Sequence, residues 1–184
     1  MIFYYLKLGF LHVIPLGFDH ILFILTLFFY NSNLKSSVIQ CSIFTIAHSI
    51  TLGLAAAEIV TVTTQYTEVI IALSIFVVSF NTIFPSNFKF WRLGLIFVCG
   101  LVHGLGFATA LKLIGLPKND FFTALLCFNI GVEIAQITLI LGCYYLIAKQ
   151  FKQKSWYQIK LVHPLSCAIC CIALFWTIER ILNN

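Results

Sequence analysis

Apolar residues in this chain gather into six long runs separated by short polar breaks. The runs cover residues 3–30, Ser36–Ala57, Thr67–Phe84, Trp91–Ile114, Phe121–Ala148 and Leu161–Leu182. They are close to the roughly 20 residues that a helix needs to cross about 30 Å of hydrocarbon. Turn formers stand in the gaps: Asn31-Ser-Asn33, Pro85-Ser-Asn87 and Gly115-Leu-Pro117. The first run is too long for one straight crossing, and Pro15 removes a backbone donor inside it. A short or re-entrant helix is therefore expected over residues 3–14, with the crossing proper from Gly17 to Tyr30. The expected fold is an all-α integral membrane protein with six transmembrane helices. The first helix is broken near Pro15 and Gly17, and residues 1–184 form a single transmembrane domain.

Composition strengthens this picture. Of 184 residues, 61% are hydrophobic and 9% charged, and the mean hydropathy is +1.02. Soluble domains carry roughly 25% charged residues, so this chain could not cover a water-facing surface, and the lipid bilayer is its expected surrounding. Residues 1–6 lack the basic start of a secretory signal peptide, so insertion is expected to rely on the first helix. The net charge of +5 does not point to nucleic acid, because four of the eleven basic residues crowd into Lys149–Lys160. The loops after the first, third and fifth runs hold seven of those eleven, among them Lys35, Lys89 and Arg92. The positive-inside rule then makes these loops cytoplasmic and places both termini outside. Tyr4, Tyr5, Tyr30, Trp91, Trp156 and Tyr157 fit an interfacial aromatic belt. The seven cysteines all lie within the apolar runs and read as small packing residues.

Ionisable groups within the apolar runs change the picture most. An Asp, Lys or Arg at a helix centre costs about 2.5–3.5 kcal/mol on insertion scales, yet this chain places His12, Asp19, His20, His48, His103 and Glu133 inside its runs. His48, His103 and Glu133 each lie twelve residues into their helix. Their depths overlap near mid-membrane, and Asp19 and His20 fall in the outer half. Several helices thus bring imidazole and carboxylate to one level. Imidazole suits nickel, cobalt, copper, zinc and iron, and a carboxylate can ligate directly or hold a ring through its other N–H. A divalent transition metal is the expected ligand, nickel or cobalt first, with zinc or copper as the other choices. Asn129, Glu133 and Gln136 form a polar stripe at i, i+4 and i+7, and Thr45, His48 and Ser49 form another. Gly100, Gly104 and Gly106 around His103 allow close helix approach. His163, ahead of Pro164, is expected to be a packing residue. Glu68 is expected to face headgroups while supporting the polar core, and Glu179 with Arg180 to form an interfacial pair.

His12-Val-Ile-Pro-Leu-Gly-Phe-Asp19-His20 resembles the N-terminal motif of the HupE/UreJ family of membrane proteins. Phe44-Thr-Ile-Ala-His48, Glu68-Val-Ile-Ile-Ala-Leu-Ser74, His103-Gly-Leu-Gly-Phe107, Phe128-Asn-Ile-Gly-Val-Glu133 and Trp176-Thr-Ile-Glu-Arg180 are similar to later family motifs, in order along the chain. The resemblance implies a nickel or cobalt permease tied to hydrogenase and urease maturation, in a bacterial inner (cytoplasmic) membrane. It implies metal handling at His12, Asp19, His20, His48 and His103, with Asn129 and Glu133 in the same core. A second copy of the chain or a metalloenzyme-maturation partner fits this setting. The competing expectation is a membrane-embedded zinc hydrolase, in which the metal activates water and Ser49 or Glu133 assists.

Overall fold

The computed structural model describes residues 1–60, 64–84, 89–114 and 120–183, with side chains left undescribed at 64–65, 89–90 and 108–114. Pro85-Ser-Asn87, Gly115-Leu-Pro117 and Lys118 lie outside the described residues, as do the side chains of Lys89 and Lys112. Among the described residues the architecture is helical, without strands. Its elements are α1 (Ile2–Val13), α2 (Phe18–Phe29), α3 (Leu34–Ala56), α4 (Thr64–Ile83), α5 (Lys89–Ile114) and α6 (Phe121–Cys143). A π-helical turn (Tyr144–Ala148) carries α6 on into α7 (Lys149–Phe151). A second π-helical turn (Gln158–Val162) then leads into α8 (His163–Leu182).

Among the described residues four helices are long and apolar enough to cross a membrane: Leu34–Ala56, Tyr66–Ile83, Phe121–Phe151 and Gln158–Leu182. The α1–α2 pair passes the same test only as a unit bent by 71°. The apolar stretch in α5 is shorter, Trp91–Phe107. The break at Pro15 and Gly17 is where the sequence placed it, but α2 is not a crossing by itself. Its 12 residues reach only about 18 Å at 1.5 Å per residue. The backbone across the break stays satisfied: the Gly17 amide donates to the Val13 carbonyl at 3.2 Å and the Ile21 amide to the Gly17 carbonyl at 2.9 Å. At membrane depth an interrupted helix must settle these groups internally.

The interior combines an apolar core with many buried polar side chains, while large apolar side chains cover the outside. Ile46, Leu73, Phe80, Phe122, Leu126 and Phe175 are exposed, while Ser37, Gln40, His48, Asn129 and Gln136 are buried. Water would penalise that outer surface and lipid does not, so the chain is an integral membrane protein. α3 packs most extensively on α5, α1 on α6, and α4 on α8. Glycine sets the closest approaches. A Cβ on Gly9 would strike the Phe128 backbone, one on Gly131 the Leu6 carbonyl, and one on Gly104 the His48 carbonyl. Gly100 sits similarly against Phe44 of α3, whereas Gly106 faces the tip of Ile71 on α4.

Three residues read as interfacial lie inside the protein. Tyr157 is fully buried, because its hydroxyl pairs with Ser32 at 2.8 Å. Tyr5 is buried too. Arg92, read as a loop charge, is buried over the Tyr30 ring, 3.5 Å from its centroid. Its Nε donates to Gln40 and its Nη1 to Asn81, each at 3.0 Å. A guanidinium supplies a fixed fork of donors and a flat face, so it can be held by amide oxygens and an aromatic ring without a carboxylate.

Candidate metal centre

The bend between α1 and α2 folds His12 back against His20, with ring centroids 4.6 Å apart. Gly17 makes the fold possible, since a Cβ there would meet the His12 carbonyl and the His20 ring. His48 enters from α3, with its ring 6.0 Å from that of His12 and 5.9 Å from that of His20. His103 enters from α5, 5.1 Å from His20. One ligand atom each from His12, His20 and His48 lie within 4.8 Å of one another. Zinc–imidazole bonds are about 2.0–2.1 Å long, so small ring rotations would close this group around an ion.

The hydrogen bonds orient three of the rings alike. His20 Nδ1 faces Asp19 Oδ1 at 3.2 Å, His48 Nδ1 faces Asn129 Oδ1 at 3.3 Å, and His103 Nδ1 faces the Cys99 carbonyl at 2.8 Å. Each facing atom is an acceptor. The Asn129 amide is itself fixed, because its Nδ2 donates to the Leu125 carbonyl at 2.9 Å. The proton therefore sits on Nδ1, and Nε2 keeps its lone pair. The Nε2 atoms of His12, His20, His48 and His103 are all buried without a hydrogen-bond partner among the described residues. Unsatisfied buried nitrogens are costly; ring atoms of His12, His20 and His48 are close enough to share a cation, and His103 adds a further ring beside His20.

An aromatic shell surrounds this set. Phe107 lies 3.8 Å from the His12 ring, and Phe44 and Phe23 lie 5.0 and 5.3 Å from the His103 ring. Phe107 stacks in turn on Phe128 at 5.2 Å. A cavity of about 210 Å³ reaches His12, His20 and His103, with Asp19, Glu68 and Arg180 also in its lining. His48, fully buried, lies behind it.

The other sequence candidates fall elsewhere. Glu133 is outside the imidazole group; its carboxylate accepts from Ser42 at 2.7 Å and Thr45 at 2.5 Å. Gln136 is buried beside Thr45 at 3.3 Å. The Ser49 hydroxyl donates to the Thr45 carbonyl at 2.6 Å. His163 is exposed and apart from the group. Glu68 lines the cavity as well as being exposed. Arg180 does not pair with Glu179 and instead donates to the Glu68 carbonyl at 2.7 Å. Adjacent residues on a helix diverge by about 100°, which turns Arg180 toward α4 and Glu179 away. The aromatic shell and Arg180 were missed as site residues, although Phe44, Phe107, Phe128 and Arg180 all lie in the motifs that hold the candidates.

Comparison with curated proteins and with solved structures gave no match. A family model described as HupE / UreJ protein matches residues 1–180. With nearly the whole chain covered, and the motif residues converging on one buried imidazole cluster, the protein belongs to the HupE/UreJ family.

Proposed function

We propose that this chain is a permease that carries a divalent transition-metal ion, nickel or cobalt first, across a bacterial inner membrane. Its residues act as a single transmembrane domain, with α1–α2 as one broken span and α5 as a full one, which gives six crossings. Both termini then face outside, since Lys35, Lys149 and Lys152 gather at the opposite end. The observation that carries the reading is the set of four buried, unpartnered Nε2 atoms, three on rings fixed through Nδ1. Rings held by a second hydrogen-bonded group are the usual form of a metal-binding imidazole. The family is linked to nickel and cobalt handling, and imidazole nitrogen suits both ions.

In this reading Asp19 and Glu68 draw the cation into the outer cavity. His12, His20 and His103 replace its water, and His48 takes it further in. The polar residues of α3 continue from Thr45 through Ser42 and Gln40 to a cavity of about 550 Å³ lined by Asn33, Lys35 and Ser36. The hydrolase reading gains no support, because Ser49 is turned to the Thr45 carbonyl and Glu133 stands outside the imidazole group. The test is elemental analysis of the purified chain beside an Asp19→Ala/His20→Ala/His48→Ala triple variant. About one nickel or cobalt per chain after loading, lost in the variant, is the expected result. No binding of any candidate metal by the wild type would end the proposal.

A further inference from the structure

About one helical turn inward from the imidazole group lies a second polar cluster of different chemistry. Glu133 of α6 accepts from Ser42 and Thr45 of α3, one hydroxyl on each carboxylate oxygen. Among the described residues no Lys, Arg or His pairs with it. α1, which also packs on α6, sends His12 to the imidazole group and leaves Lys7 exposed. On α3 the adjacent titratable group is Cys41, a fully buried thiol next to Ser42. An anionic carboxylate at membrane depth without a counter-cation is costly.

Gln136 supplies an independent observation. It is fully buried, and its amide nitrogen has no hydrogen-bond partner. Its oxygen lies 3.3 Å from Thr45 Oγ1, whose single proton is already committed to Glu133 at 2.5 Å. Turning the amide over lets its NH2 donate to Thr45 and leaves its oxygen as the unpartnered buried atom. Carboxylate, hydroxyl and amide oxygens without nitrogen or sulfur are the donors of hard cations.

We propose that Glu133, Ser42, Thr45 and Gln136 form a second cation site that takes a hard monovalent cation, sodium or a proton, as the coupling ion. This deepens the permease reading and rests on it: the imidazole group holds the transition metal, and the oxygen cluster holds the ion whose gradient drives it. Intramembrane coupling sites elsewhere are likewise built near the midplane.

The test uses the full chain in lipid nanodiscs, as wild type, Glu133→Gln and Thr45→Val. Saturable binding of radioactive sodium, lost in Glu133→Gln and weakened at least tenfold in Thr45→Val, would establish a sodium site. No sodium binding, but a pH-dependent carboxylic acid infrared band that Glu133→Gln lacks, would establish a proton site. In either case nickel affinity should stay within about twofold of wild type in Glu133→Gln. Absence of both signals overturns the proposal. So does a tenfold or greater loss of nickel affinity in Glu133→Gln, which would make Glu133 part of the transition-metal site. The permease reading fails separately, if wild-type proteoliposomes take up no nickel or cobalt under any imposed gradient while the sodium or proton signal stands.

Discussion

His48 and Asn129 show how a site is prepared at the scale of single residues. Asn129 holds its own amide by donating to Leu125, and its oxygen then fixes which nitrogen of His48 carries the proton. Asn129→Leu should leave His48 in place but free to turn. Loss of such a supporting hydrogen bond typically costs about 10- to 100-fold in metal affinity. Equilibrium dialysis with nickel measures this, and an unchanged thermal midpoint would show that the fold survives. His48→Ala removes the proposed ligand itself and should abolish cellular metal accumulation while the protein still inserts. Normal accumulation in that variant would remove His48 from the transport path. Arg92 belongs to the same scale. Arg92→Lys keeps the charge but loses the fork that reaches Gln40 and Asn81 and the face that covers Tyr30. It should lower the thermal midpoint in detergent, since lysine offers a point charge where a planar group is held.

Glycine decides how closely the helices approach. The Gly104 backbone lies against the His48 carbonyl and Gly131 against Leu6, so any side chain there meets backbone that cannot move aside. Gly104→Leu or Gly131→Leu should destabilise by at least about 1–3 kcal/mol, the usual cost of overpacking. Gly142 meets nothing within 4 Å, and Gly142→Ala should be neutral or stabilising, by up to about 1 kcal/mol. Thermal unfolding of the three variants in one detergent separates the cases, and equal midpoints would refute the contact argument. The helix runs were legible in the sequence because each is a continuous apolar stretch near bilayer length. The bend between α1 and α2 was legible as a break at Pro15 and Gly17. Its 71° angle was not, because it depends on where α6 holds the first half and α4 the second.

Across the whole molecule, Lys35, Lys149 and Lys152 share one end with the cavities beside Asn33, while Asp19, Glu68 and Arg180 share the cavity above the imidazole group. Lys152→Cys should react with a membrane-impermeant thiol reagent only from the cytoplasmic side. Glu179→Cys should react only from outside. Both variants are made in a background whose exposed Cys167 and Cys171 are changed to serine. The reverse labelling pattern would invert the orientation and with it the direction of the path.

The apolar runs, their breaks and the polar residues inside them were enough to indicate a membrane protein with imidazole at a common depth. A bilayer penalises each charge locally, so each exception stands out in the sequence without any neighbour being known. Which exceptions meet was a matter of helix rotation and close approach. Periodicity put Glu133 at the level of His48, but the turn of α6 gives the Asn129 oxygen to His48 and the Glu133 carboxylate to Ser42 and Thr45. Charge counting sent Arg92 and Arg180 to the interface, yet one is enclosed over Tyr30 and the other reaches across to Glu68. Such pairings join residues from 52 to 112 positions apart. Only packed helices bring those residues together, which is why local pattern could name the ingredients of the site but not its partition into an imidazole group and an oxygen cluster.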